Sequence, residues 1–402
     1  MGDRPAPCHG PSSVGRLVGV TRRPSSAAGA DSAHRSILKR WWMAPVAAIA
    51  LLSLLEVGLR LADFDYPELK PPLLIFKAEV DAQMQRDDSL HRVDLETMWS
   101  LRPGARIDEG SDPALELVNG LGMRGPLPGE RGPSHLRVAS LGSSTSFGYG
   151  VEWPEIFASR VAQSFAADGR STDVLLSGVV GHSIFQILER YRRDVKPLRP
   201  DLAIVALNGV NEHFPSPSGS DELHRERVRE EFSRWEQWRG RLRDGLRVMH
   251  LIGWISDRRQ GGREELVRQW LEGQERENRA WLDRGQPSFT GARRVTPQRF
   301  GELLAKLVGE LRAEGTAVVV VAMPRRAEVL ESSPVLAEYD RVLRERVEYL
   351  RIDFLDADAL FQRLPDGPEA LFLDGLHLTP LGHRRLADAL GTVVRRALDR
   401  RG

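Results

Sequence analysis

Leu136-Arg137-Val138-Ala139-Ser140-Leu141, followed at once by Gly142-Ser143-Ser144-Thr145, is the stretch whose reading decides the fold. A short, mostly apolar run that stops at a glycine reads as a buried strand ending in a turn. The arrangement recurs at Leu202–Leu207, which leads into Gly209-Val210-Asn211-Glu212. Outward from these two, strand candidates lie at 136–141, 173–177, 202–207, 316–322 and 351–355. Helix candidates lie at 153–167, 184–194, 297–314, 335–349 and 380–398. Such alternation predicts a mostly parallel sheet covered by helices on both faces, with right-handed crossovers. Ligands in sheets of this kind bind beyond the carboxyl ends of the strands. Ser144 and Asn211 both follow strands at those ends.

A third stretch, Asp374-Gly375-Leu376-His377, lies near the C-terminus and leads into a helix. A serine and an amide side chain at strand edges, with an Asp–His pair on a loop, are the parts that acyl transfer needs. The serine attacks, the histidine takes its proton, the aspartate orients the histidine, and amide donors hold the oxyanion. His377 suits the base because imidazole can accept a proton and return it near neutral pH. Asp374, three residues earlier, can reach the same ring and fix its tautomer. Read singly, Asp374 is a turn cap, His377 a surface histidine and each serine an N-cap. Only the combination points to chemistry.

These residues resemble the sequence blocks of the SGNH (GDSL-type) hydrolases, a serine esterase and acyl-transfer superfamily. The first block is Leu141-Gly142-Ser143-Ser144-Thr145-Ser146-Phe147-Gly148, with Ser143 where the family usually has Asp. The second is Gly178-Val179-Val180-Gly181-His182-Ser183, with Leu176 where Asn is frequent two residues earlier. The third is Gly209-Val210-Asn211-Glu212, with Glu212 where Asp is commoner. The last, Asp374 through His383, fits closely. The resemblance covers roughly residues 115 to 400. It implies a flavodoxin-like three-layer α/β/α sandwich and Ser144 as nucleophile, with Ser143 the second choice. It also implies an oxyanion hole built from the backbone N–H groups of Ser144 and Gly181 and the Asn211 side chain. His383 should be structural, while His182 and His213 could line the pocket.

The chain has 402 residues, more than one compact core needs. Residues 1–40 are rich in Ser, Pro, Gly and Arg without an apolar period and are expected to be a disordered cytoplasmic tail. Residues 41–61, opening with Trp41-Trp42-Met43 and interrupted by Glu56 and Arg60, are expected to be one transmembrane anchor. Arg22, Arg23, Arg35, Lys39 and Arg40 precede it, and Asp63, Asp65 and Glu68 follow it. This asymmetry puts the N-terminus in the cytoplasm and the rest of the chain outside. A cleaved signal peptide and a buried helix are the competing readings.

Residues 62–135 read as an extracytoplasmic connecting region with a short strand at Leu115–Asn119. Arg124, in the glycine-rich loop after it, reads as structurally paired rather than substrate-binding. Residues 136–400 form the hydrolase-like domain. A helical insertion occupies about 213–296, rich in Arg and Glu and carrying Trp235, Trp238, Trp254, Trp270 and Trp281. It is a lid or, more plainly, a helical hairpin packed on the core. Net charge is +1, so no nucleic-acid partner is expected, and the arginine excess reads as compositional bias. Cys8 is the only cysteine, which excludes an intramolecular disulfide and a thiolate metal site. No cofactor or metal is expected, and Asp353, Asp356 and Asp358 read as turn caps. The substrate class is a small-molecule, carbohydrate or lipid ester. An O-acyltransferase with the same triad, and a non-catalytic binding or assembly protein on the same scaffold, stay open as alternatives.

Overall fold

The computed structural model describes residues 28–66, 90–107, 117–132, 135–214, 219–234, 238, 245–266, 268–269, 286 and 291–400. The expectations for residues 1–27 and for Trp235, Trp270 and Trp281 lie outside them. The chain divides into two compact units. The larger holds the sheet. The smaller comprises the described residues up to Tyr66 together with 246–253.

In the larger unit the strands are β1 (His91–Asp94), β2 (Met98–Leu101), β3 (Leu136–Gly142), β4 (Thr172–Leu176), β5 (Leu202–Leu207), β6 (Ala317–Ala322) and β7 (Asp353–Asp356). The five expected strands are all present. They form one parallel sheet in the order β4-β3-β5-β6-β7. The chain goes from β3 to one neighbour and from β5 to the opposite side, so the order reverses between β3 and β5. A crevice at such a reversal is where open α/β sheets bind ligands.

Strand side chains alternate between two cores with the period of two that pleating imposes. Ala203, Val205, Leu207, Val318 and Val320 pack on one face with Phe185, Phe300, Leu304 and Tyr339. Leu202, Ile204, Ala206, Val319 and Val321 pack on the other with Phe157, Phe165, Leu386 and Leu390. The helices Ile184–Arg190, Pro297–Ala313 and Leu336–Tyr349 thus cover the first face, and Phe157–Ala167 and Pro380–Asp399 cover the second. Proline at the first turn and a threonine N-cap start both long helices: Thr296 accepts from Arg299 N–H and Thr379 from Gly382 N–H. The helix expected over 184–194 is α-helical to Arg190 and then widens into a π turn, Tyr191–Val195, before Pro197.

Residues 90–107 are more than a connector. β1 and β2 form an antiparallel hairpin that the sequence reading missed, with His91 paired to Leu101 and Asp94 to Met98. Its strands are four residues long and carry buried polar groups, too brief a pattern for alternation to register. Trp99 is fully buried, and its indole N–H donates to Val180 O at 3.0 Å. Of the strand expected at Leu115–Asn119, Leu117 and Val118 make isolated bridges to Arg106 and Arg124. Residues 115 and 116 lie outside the described residues.

In the smaller unit, one helix runs from Ala28 to Leu61, so residues 28–40, expected without regular structure, are helical. Extending a helix from an existing nucleus is far cheaper than starting one, and the apolar run supplies the nucleus. Met43–Leu61 is long and apolar enough to cross a membrane, with a mean hydropathy of 1.8. The Glu56 carboxylate inside it accepts from the backbone N–H groups of Arg247 and Val248, at 3.0 and 2.9 Å, and pairs with Arg60 at 2.7 Å. Arg247 and Val248 open the helix Arg247–Arg259, whose first N–H groups lack intrahelical partners.

Candidate active site

Ser144 opens the short helix Ser144–Phe147 directly after β3. Two glycines make room for this turn. A Cβ on Gly142 would lie 2.8 Å from Ala206 O. One on Gly178 would lie 2.4 Å from Phe147 N and 2.7 Å from Ser146 C, so the loop after β4 is pressed against backbone of the serine turn. Arg124 is fully buried and donates to the carbonyls of Phe147, Gly148 and Val151, closing the turn from its far end. Arg124 is therefore structurally paired, as expected.

The Asp374–His377 loop is closed at its base by a bridge between Phe372 and Leu378 and by Leu373 N–H donating to His377 O at 2.8 Å. Asp374 Oδ1 accepts from the N–H groups of Leu376 and His377, at 2.7 and 2.8 Å. Its Oδ2 stands 2.7 Å from His377 Nδ1. Burial pushes the Asp374 carboxyl up. The His377 ring and the N–H groups of His377 and Leu376 outweigh it and hold the carboxyl below its ordinary value. With Nδ1–H donating to that carboxylate, Nε2 is left as an acceptor, and Ser144 Oγ lies 2.9 Å from it. The structure thus brings together Ser144, His377 and Asp374 from opposite ends of the domain. Ser143 is buried and makes no side-chain capping bond, and the ring of His377 meets Ser144.

Gly181 adopts φ +78°, a left-handed conformation that favours glycine. Asn211 is buried, and its Nδ2 donates to His182 O at 3.0 Å. An amide nitrogen carries two hydrogens, so one donor of the group is engaged there. His182 is buried. Its Nε2 donates to Trp99 O at 2.9 Å, and burial first, then the charges of Arg190 and Arg294, hold its pKa well below the ordinary range. His213 is also buried, with Nδ1 2.6 Å from Val210 O and its ring stacked on Phe214. His383 stacks on Phe157 and accepts from Phe157 N–H at 3.3 Å; burial brings its pKa down to about 3. It is structural, as expected.

Glu212 is buried and accepts from Ile184 N–H at 2.8 Å. Burial pushes its carboxyl up to about 7. The Tyr149 ring lies 4.8 Å from the His377 ring, tilted by 42° and half exposed at the rim. Asp356 caps the helix Ala357–Phe361 as expected, whereas Asp353 pairs with Arg396 and Asp358 with Arg325.

Sequence reasoning missed Arg294. Its guanidinium is fully buried and reaches both loops that follow β4 and β5. Nη1 donates to Gly181 O at 2.7 Å and to Asn211 O at 3.3 Å, Nε donates to Asp221 Oδ1 at 2.8 Å, and Nη2 donates to the Gln186 side chain. The only sequence signal nearby is the helix start at Thr296-Pro297, which says nothing about an arginine.

The family model described as GDSL-like lipase/acylhydrolase matches residues 140–385. No curated protein matches the chain. Among solved structures, a lipase/acylhydrolase from Enterococcus faecalis is 17% identical, with 66% of this chain and 96% of that one covered and a TM-score of 0.40. An acetylxylan esterase from Geobacillus stearothermophilus is 13% identical, with 65% and 94% covered and a TM-score of 0.38.

Proposed function

The chain belongs to the GDSL-like lipase/acylhydrolase family, and from that premise we propose that it is a membrane-anchored serine esterase acting outside the cytoplasm on an acylated carbohydrate or lipid. The observation that carries this reading is the relay Ser144–His377–Asp374, with 2.9 and 2.7 Å between its members, beyond the carboxyl end of β3.

In the first step His377 Nε2 takes the Ser144 proton as Oγ attacks the ester carbonyl. The tetrahedral oxyanion is held by Ser144 N–H, Gly181 N–H and the second amide hydrogen of Asn211. Asp374 holds the tautomer and faces the imidazolium that forms. Collapse expels the alcohol, which takes the proton from Nε2, and leaves an acyl-Ser144 ester. Water, deprotonated by the same Nε2, attacks that ester, and the acid leaves as Oγ recovers its proton. A second hydroxyl in place of water would make the chain an acyltransferase by the same steps.

The test is a fluorophosphonate probe and an acetyl-ester assay on the purified full-length protein. Wild type is expected to be labelled and to turn over ester, while Ser144→Ala loses both with an unchanged melting temperature. Labelling that survives Ser144→Ala and disappears in Ser143→Ala would move the nucleophile by one residue. No labelling and no turnover in wild type would leave a binding protein on this scaffold. Incubation with an acyl donor and a sugar separates hydrolysis from transfer by the product.

A further inference from the structure

We infer that Arg294, locked to Asp221, is a positioning residue that sets the oxyanion hole by clamping its two loops together. The inference rests on the serine-esterase reading, because it assigns Arg294 a part in that reaction.

Two of the three proposed oxyanion donors lie on separate loops, Gly181 after β4 and Asn211 after β5. Nothing in a parallel sheet fixes the relative position of two such loops to the fraction of an ångström that catalysis needs. Buried groups bridge them, and among the described residues the Arg294 guanidinium is the one that meets the main chain of both. Arg294 Nη1 donates to Gly181 O and Asn211 O together, at 2.7 and 3.3 Å. A carbonyl held in place fixes its own peptide plane, here the planes joining residue 181 to 182 and 211 to 212. The Gly181 N–H lies in the preceding plane, whose Val180 O accepts from the Trp99 indole at 3.0 Å, so the clamp acts on both donors through the chain at residues 181 and 211. The Asn211 side chain completes the tie by donating to His182 O, one residue after Gly181.

The clamp is itself held. Asp221 Oδ1 takes Arg294 Nε at 2.8 Å, and Asp221 Oδ2 takes the Ser183 hydroxyl at 2.5 Å. Both side chains of the ion pair have zero exposure. Main-chain bonds fix the segment as well: Arg294 N–H donates to Phe214 O, Val295 N–H to Glu212 O and Asp221 N–H to Arg294 O. Asp221 and Arg294 stand on either side of the stretch 222–293, so the pair fastens the neck of the insertion to the catalytic loops.

A stability role alone explains this poorly. Burying both charges costs solvation that their attraction roughly repays, and a well-packed apolar pair would often serve stability as well. What an apolar pair lacks is a planar fork whose donors bridge two carbonyls while its other side meets a carboxylate.

The test compares Arg294→Lys and Asp221→Asn with wild type in the full-length protein. Lysine keeps the charge opposite Asp221 but cannot bridge both carbonyls. Arg294→Lys is expected to lower kcat by roughly 10- to 100-fold, the scale of a small misplacement of catalytic groups. KM should stay within about threefold, because only transition-state binding is lost, and fluorophosphonate labelling should slow in parallel. Asp221→Asn, isosteric and neutral, is expected to give a smaller fall of the same kind. A lowered melting temperature with wild-type kcat and labelling rate in Arg294→Lys would make the pair purely structural and overturn the clamp. Should Arg294→Lys fail to fold, Asp221→Asn decides: folded protein with unchanged kcat overturns the inference, and folded protein with reduced kcat at constant KM upholds it. Wild type without labelling removes the esterase reading itself, an outcome distinct from labelled wild type beside undiminished variants.

Discussion

At the residue scale, Glu212 makes the sharpest prediction. Its carboxyl is buried, and that burial raises its pKa from 4.5 to about 7. A carboxyl raised in the folded state binds its proton more tightly there than in the unfolded chain. Stability from this group is therefore fully present below about 4.5 and is lost as pH rises toward about 7. The loss is on the order of 3 kcal/mol if the whole shift is realised. Glu212→Gln keeps an acceptor for Ile184 N–H and cannot ionise. Its melting temperature is expected to equal wild type near pH 4 and to exceed it at pH 8; a constant difference across that range would refute the assignment. Asn211→Ala tests the neighbouring residue: kcat should fall by about 100-fold, the cost of one oxyanion donor, and labelling should persist but slow. The residues of the proposed relay were legible because they sit in recognisable blocks, Ser144 at the end of a strand and Asp374 and His377 on the loop before the last helix. The buried arginines were not. An arginine-rich chain gives no hint that Arg124, Arg190, Arg294 and Arg325 are buried and hold main-chain carbonyls of the loops flanking the site. Their partners lie 13 to 117 residues away. What reads as compositional bias includes the bracing of those loops.

At the scale of elements, the five sheet strands and the helices expected over 297–314, 335–349 and 380–398 were readable to within two residues, because each is a buried apolar run or an amphipathic period. The helices expected over 153–167 and 184–194, by contrast, are α-helical only from Phe157 and only to Arg190. Thr296-Pro297 and Thr379-Pro380 state where two helices begin. The β1–β2 hairpin escaped because its cohesion comes from Trp99 and from polar groups paired across the fold, not from alternation. Glycines separate packing from conformation here. Gly178→Ala would drive a Cβ to within 2.4–2.9 Å of backbone at Phe147, Ser146 and Ser143, none of which can rotate aside. The serine turn must shift, so the variant is expected to lose about 2 kcal/mol or more and most of its turnover. Gly309, exposed within Pro297–Ala313, has nothing within 4 Å of an added Cβ. Gly309→Ala should therefore stabilise by roughly 0.5–1 kcal/mol at unchanged activity. Chemical denaturation of both variants checks the pair. A tolerated Gly178→Ala would mean that the loop after β4 does not set the turn.

At the scale of the whole molecule, the sequence suggests one insertion between β5 and β6, yet residues 246–253 group with the N-terminal helix rather than with the sheet. Hydropathy could not reveal this, because the tie is polar and local to a few atoms. Glu56 caps Arg247 and Val248 from 191 and 192 residues away, and Asp65 meets His250 Nδ1 at 2.9 Å. Together with Arg60, the tie gives partners to a carboxylate inside a mostly apolar stretch, where an unpaired charge would be costly. The same stretch carries the proposal of a membrane anchor. Arg22, Arg23, Arg35, Lys39 and Arg40 precede it, and the acidic Asp63 and Asp65 follow. If the positive-inside bias orients it, alkaline phosphatase fused after residue 402 should be active outside the cytoplasm, and the protein should resist extraction from membranes by carbonate. Replacing Arg35, Lys39 and Arg40 together with glutamate should reduce the fraction inserted in this orientation. A reporter active only in the cytoplasm would invert the topology. A freely soluble product beginning near residue 62 would turn the helix into a cleaved signal, and the esterase would then act free of the membrane.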